Sequence, residues 1–76
     1  MNKRISINPN VCHGKPVIKG TRVLVSNILG SLASGESLDE ILEDYPNISK
    51  KDITAALEFG SELSTFETYS YKTSNK

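Results

Sequence analysis

Gly14-Lys15-Pro16-Val17-Ile18-Lys19-Gly20-Thr21-Arg22-Val23 leads straight into two short helical patterns that meet at Ser34-Gly35-Glu36-Ser37, and this succession decides the fold. Gly14 permits positive φ, and Pro16 sets its own φ near about −65°, so the stretch opens as a loop. Val17-Ile18 then reads as a brief extended piece and Lys19-Gly20-Thr21-Arg22 as a tight connection. Val23 and Val25 alternate with Arg22 and Leu24, which predicts a second extended segment pairing with Val17-Ile18 across Gly20. The whole is a small basic hairpin arm. Upstream of it, Ile5 and Ile7 alternate with Arg4 and Ser6 before Asn8-Pro9-Asn10, the pattern of a short strand closed by a turn.

Downstream, helices take over. Ser26 is placed to cap the first of them, and Val25, Ile28, Leu29 and Leu32 form its apolar stripe up to a stop at Gly35. Gly30 lies inside this pattern at a cost of about 1 kcal/mol in helix propensity, which points to close backbone packing there. Ser37-Leu38-Asp39-Glu40 is a capping box. It opens a second helix whose Leu38, Ile41, Leu42 and Tyr45 repeat at helical spacing until Pro46 ends it. Ser49-Lys50-Lys51-Asp52 supplies another cap, and a third helix follows through about Leu63, with Ile53, Ala56, Leu57, Gly60 and Leu63 on its buried face. Ile48 precedes the cap and suits a hydrophobic staple onto Ile53. From Ser64 the composition turns to Ser, Thr, Tyr, Asn and Lys, with Phe66, Tyr69 and Tyr71 spaced through it, and reads as a flexible tail.

The fold class is therefore mainly α: a three-helix, homeodomain-like helix-turn-helix bundle carrying a short N-terminal β-hairpin arm. As one domain it divides into a basic arm over 1–25, a helix-turn-helix core over 26–64 and a flexible tail over 65–76. A chain of 76 residues buries only about 60% of the surface its unfolded form exposes, so its core is marginal and pairing with a second copy would help it. A homodimer is expected. A single cysteine, no apolar run of membrane-spanning length and no apolar segment behind the basic start imply a reducing cytoplasmic setting without membrane or export.

Net charge is zero, but it is unevenly placed. Residues 1–35 carry Lys3, Arg4, Lys15, Lys19 and Arg22 with no acid, a net +5, whereas 36–67 carry nine acids against Lys50 and Lys51, a net −7. A basic block suits phosphate, and an acidic block suits a basic partner or the basic half of another copy. Ordinary solvated surface is the plainer alternative.

Candidate contact residues follow from this layout. If the third helix enters a major groove, its first turns offer Ser49, Lys50, Lys51 and Thr54 to bases and phosphates. Glu58 and Glu62 would then keep its entry shallow. The arm offers Lys15, Lys19 and Arg22 to a backbone or a minor groove. Arg22 has a second reading, as a structural ion pair to Asp44 or Glu43, and a third, as a partner contact. Phe66, Tyr69 and Tyr71 are candidates for covering a partner protein. Cys12-His13 suggests a metal or a nucleophile, yet there is no second His or Cys to complete a site, and no phosphate-cradling Gly-rich loop is present. An enzyme is not expected, nor a cofactor.

Ile5, Asn8-Pro9, Gly14-Lys15-Pro16-Val17-Ile18, Gly20-Thr21-Arg22-Val23, Ile28-Leu29, Gly35, Ser37, Glu40-Ile41-Leu42, Tyr45-Pro46, Ile48, Asp52-Ile53 and Ala55-Ala56-Leu57 together resemble the small prokaryotic family called domain of unknown function 433. The resemblance implies a homeodomain-like fold and the role of antitoxin in a type II toxin-antitoxin pair, repressing its own promoter DNA and neutralising a PIN-like ribonuclease toxin. Leu24 departs from relatives that place a proline there. The short segment after Gly60 leaves little chain for a toxin-binding extension. The competing expectation is an adaptor domain that binds protein and not DNA.

Overall fold

In a computed structural model of the chain, the backbone is described from residue 2 to 74 and the side chains from residue 2 to 63. The elements run β1 (Ile5–Ser6), a single tight turn at Cys12–Gly14, β2 (Val17–Ile18), α1 (Val25–Ala33), α2 (Leu38–Asp44) and α3 (Lys50–Ser74). Three helices and a two-stranded antiparallel sheet near the N-terminus make up this small, mainly helical fold.

The sheet differs from the expected hairpin. β1 pairs with β2, Ile5 opposite Ile18 and Ser6 opposite Val17. The segment after Gly20 joins on the other side of β2 only through a bridge between Val17 and Leu24. Its bonds there are Ile18 N–H to Val23 O at 3.0 Å and Val25 N–H to Pro16 O at 3.0 Å. β2 is thus the central piece of the arm, and its Val17 and Ile18 are both buried. The turn between the two segments explains Gly20-Thr21. Thr21 N–H donates to Ile18 O at 2.9 Å while Gly20 takes φ +81°, the left-handed value that the third residue of a type II turn requires. The Thr21 hydroxyl donates to Ile18 O at 2.7 Å and accepts from Val23 N–H at 2.9 Å, closing the turn a second time.

Helix ends follow local chemistry closely, with one exception. The α1 cap position is Leu24, with no side-chain cap, so Ser26 lies inside the helix and does not cap it. The orphan amide of Val25 is met instead by Pro16 O, a sheet-like bond that supplies what a serine would have supplied. At the other end Gly35 has φ +95°. There Gly35 N–H reaches Leu32 O and Glu36 N–H reaches Ser31 O, both at 3.1 Å, the paired bonds of a Schellman motif. α2 opens with the expected capping box, Glu40 N–H to Ser37 Oγ at 3.1 Å and Ser37 N–H to Glu40 Oε1 at 2.8 Å. Ser49 and Asp52 repeat the device for α3, with Ser49 N–H donating to Asp52 Oδ2 at 2.9 Å.

Ile28, Ile41 and Ile53, one from each helix, are the centre of the core, and Ile5, Ile18, Val23, Val25 and Ile48 close it from the arm and the α2–α3 connection. Ile48 and Ile53 share this cluster, as a staple requires. Three expected core positions move. Leu38, Leu57 and Leu63 are exposed, and Ala55 is buried in the place given to Leu57. Gly30 faces open space, whereas the tight approach is at Gly60, where an added Cβ would stand 3.1 Å from Leu29 Cδ1. The close packing attributed to Gly30 belongs to Gly60. The backbone of α3 continues as helix to Ser74, past the end expected near Leu63, since no proline or glycine follows Gly60 to stop it.

Candidate nucleic-acid interface

The α2–α3 connection is short. Tyr45 closes α2 through its N–H to Ile41 O, Ile48 N–H turns back to Tyr45 O at 3.2 Å, and Ser49 caps α3. This leaves Lys50, Lys51 and Thr54 exposed on the first turns of α3. Ser49 is exposed as well, but its hydroxyl faces Asp52 N–H at 3.4 Å, in its capping role. The Thr54 hydroxyl donates to Lys50 O at 3.3 Å, so these two residues form one ridge along the helix.

Beside the ridge lies an open groove of about 560 Å³, walled by Lys51, Thr54, Ala55, Glu58 and Glu62 of α3 on one side and by Asn2, Lys3 and Arg4 on the other. Three contacts fasten this wall to the helix. Arg4 Nη1 donates to Asp52 Oδ1 at 3.0 Å. Asn2 Nδ2 donates to Glu58 Oε1 at 2.9 Å and to Ala55 O at 3.4 Å. Asp52 itself is buried, 8% exposed, so its two oxygens serve the helix cap and the arm at once. Along α3 the charge of the groove is graded, from Lys51 near the helix start to Glu58 and Glu62 farther along, and Lys3 stands on the opposite wall between the anchors at Asn2 and Arg4.

The arm residues sit elsewhere. Lys15 and Lys19 are exposed, Lys19 at the turn with its backbone N–H on Arg4 O at 2.8 Å. Arg22 lines a separate shallow depression with Ser6, Asn8, Val11, Val17, Gly20 and Thr21, and no residue is common to the two sites. The expected ion pair of Arg22 with Asp44 or Glu43 is not formed; among the described residues the pair that ties the basic arm to a helix is Arg4 with Asp52. Arg22 instead offers its carbonyl to Cys12 Sγ at 3.7 Å. The side chains of Phe66, Tyr69 and Tyr71 lie outside the described residues. The structure therefore brings Lys51 and Thr54 together with Lys3 and Arg4, and not with Lys15 or Arg22. Lys3 and Arg4 were not singled out from sequence as contact residues. Asp52 reads locally as the third-position acid of a capping box, and nothing in that local pattern points to an arginine 48 positions away.

Cys12 and His13 both have positive φ, 50° and 59°, in a turn shared with Gly14 at 80°. No group of three or more His, Cys, Asp or Glu side chains is placed to hold a metal ion among the described residues. No helix is long and apolar enough to cross a membrane among them either.

Residues 5–60 match the model of the family described as "Protein of unknown function (DUF433)". An uncharacterized protein of Sinorhizobium fredii, y4eO, is 35% identical over 52 residues, which cover 68% of this chain and 24% of that protein. The crystal structure of a DUF433 member from Anabaena variabilis superimposes with a TM-score of 0.73 at 30% identity, covering 78% of this chain and 58% of that one. The matched region is thus about a quarter of the length of the first relative and little more than half of the second.

Proposed function

Since this chain belongs to the DUF433 family, whose description assigns no activity, its role has to be read from its own surface, and we propose that it is a DNA-binding antitoxin of a type II toxin-antitoxin pair. The observation that carries this reading is the exposed basic start of α3, Lys50, Lys51 and Thr54, presented behind a short, capped α2–α3 connection. In a helix-turn-helix the second helix of such a unit lies in the major groove, with its N-terminal residues on base edges and phosphates. Two copies of the chain bind half-sites about 34–36 Å apart as a two-fold dimer. Lys15, Lys19 and Arg22 extend the basic surface along the duplex.

The partner in this reading is a PIN-like ribonuclease. Its RNA-binding face is basic, and the acidic stretch from Glu36 to Glu67 supplies the complementary charge that steers association. A small nuclease encoded beside this protein should copurify with it and lose ribonuclease activity in the complex. The upstream DNA of the pair should bind with an affinity that falls steeply as salt is raised. Failure of both the copurification and the DNA binding would refute the antitoxin reading.

A further inference from the structure

We propose that the groove between Asn2–Arg4 and α3 seats one strand of a DNA sugar-phosphate backbone, with Lys3 and Lys51 as its phosphate contacts and the Arg4–Asp52 pair as the device that holds Lys3 in place. This rests on the helix-turn-helix reading and names the residues that make it bind. Lys3 comes from a segment with no regular structure of its own, yet that segment is fastened to α3 at Arg4 on one side and Asn2 on the other. The fastening commits Arg4 to Asp52 and leaves Lys3 and Lys51 exposed, their side chains without a hydrogen bond or ion pair among the described residues. Two unpaired ammonium groups lining one groove can each neutralise a phosphate and so release the counterions condensed on the DNA there.

The helix geometry says which strand this is. Lys50 and Thr54 stand four residues apart and form the outward ridge, while Lys51, Ala55 and Glu58 repeat along the adjoining flank. A ridge inserted in a major groove has a phosphate strand running along each side. Thr54 belongs both to the ridge and to the groove wall, so the strand on this side passes between Lys51 on α3 and Lys3 on the facing wall. Glu58 and Glu62 give that path a direction. Lys51 and Glu58 are seven residues apart, about 10 Å of helix rise, so a backbone held by the lysines is repelled if it follows the groove and must cross it. Crossing fixes the angle at which α3 lies in the duplex.

An acidic protein segment is the competing occupant, and one experiment separates the two. Fluorescence anisotropy of a random-sequence duplex of about 20 base pairs is followed against salt concentration, because phosphate binding is independent of sequence. The double variant K3A/K51A should lower the steepness of the log-affinity against log-salt line by about two, at roughly 0.9 for each phosphate that is no longer neutralised. The double variant E58Q/E62Q should bind the duplex more tightly at low salt. Both lysines are exposed, and an unchanged circular dichroism spectrum will show that the variant folds. If the wild-type chain binds and K3A/K51A keeps its full salt dependence while K15A/K19A/R22A loses it, the groove assignment is wrong and the helix-turn-helix reading survives. Absence of any salt-dependent duplex binding by the wild-type chain overturns both. Capture of a polyglutamate probe in place of the duplex would give the groove to an acidic protein.

Discussion

Arg4 and Asp52, 48 positions apart in sequence, meet at 3.0 Å and lock the N-terminal segment onto the first turn of α3. The same carboxylate accepts Ser49 N–H at 2.9 Å, so one buried side chain serves as helix cap and as anchor for the arm. The two duties differ in strength. The Arg4 side chain is 46% exposed, which screens the pair, so R4A should cost only about 0.5–1 kcal/mol. D52A also removes half of the capping box and leaves the Ser49 amide without its carboxylate acceptor, and should cost about 2 kcal/mol. Urea unfolding of the two variants checks this. Equal losses would mean that the ion pair, and not the cap, dominates.

The two glycines of the helical core separate propensity from packing. Nothing stands within 4 Å of a Cβ added at Gly30, so G30A should gain about 0.5–1 kcal/mol from helix propensity alone. At Gly60 the added carbon stands 3.1 Å from Leu29 Cδ1, and Leu29 has to shift by a few tenths of an ångström. G60A should therefore fall short of G30A in melting temperature. A larger gain at 60 than at 30 would show that Leu29 has room to move and that the close approach of Leu29 to α3 does not depend on that glycine.

Thr21 holds the arm turn shut with a hydroxyl that both donates to Ile18 O and accepts from Val23 N–H. T21V keeps the shape and removes both bonds, at an expected cost of about 1–2 kcal/mol, whereas T21S should stay close to wild type. Amide hydrogen exchange at Val23 is the direct measure. Its protection should fall in T21V and persist in T21S, and no difference between them would leave the turn to Gly20 and the backbone bonds alone.

These features divide by the range over which they act. The Ser37 and Ser49 caps, the Schellman end at Gly35 and the stop at Pro46 each depend on residues within about five positions, and each was legible as sequence. The pairing of Ile5 with Ile18, the contact of Gly60 with Leu29 and the bond of Arg4 to Asp52 join distant segments, and no local pattern selects them. Periodicity marked the face of α3 but not its width, which is why Leu57 was expected inside and Ala55 was not. The site followed the same division. Lys51 and Thr54 could be read from the helix start, but Lys3 joins them only through the long-range anchor.

That anchor makes a coupled prediction for DNA binding. If Arg4 matters because it holds Lys3 over the groove, then R4A should reduce the salt dependence of duplex binding by about one phosphate, as K3A does. The double variant R4A/K3A should then lose little more than either single variant, a non-additive cycle that independent phosphate contacts do not produce. Arg4 is largely committed to Asp52, so a direct phosphate role for it would appear as additive losses. Salt titrations of the four proteins, each shown to be folded under the same conditions, decide between holding and touching. Additive slopes would place Arg4 itself on the phosphate and end its assignment as a positioning residue.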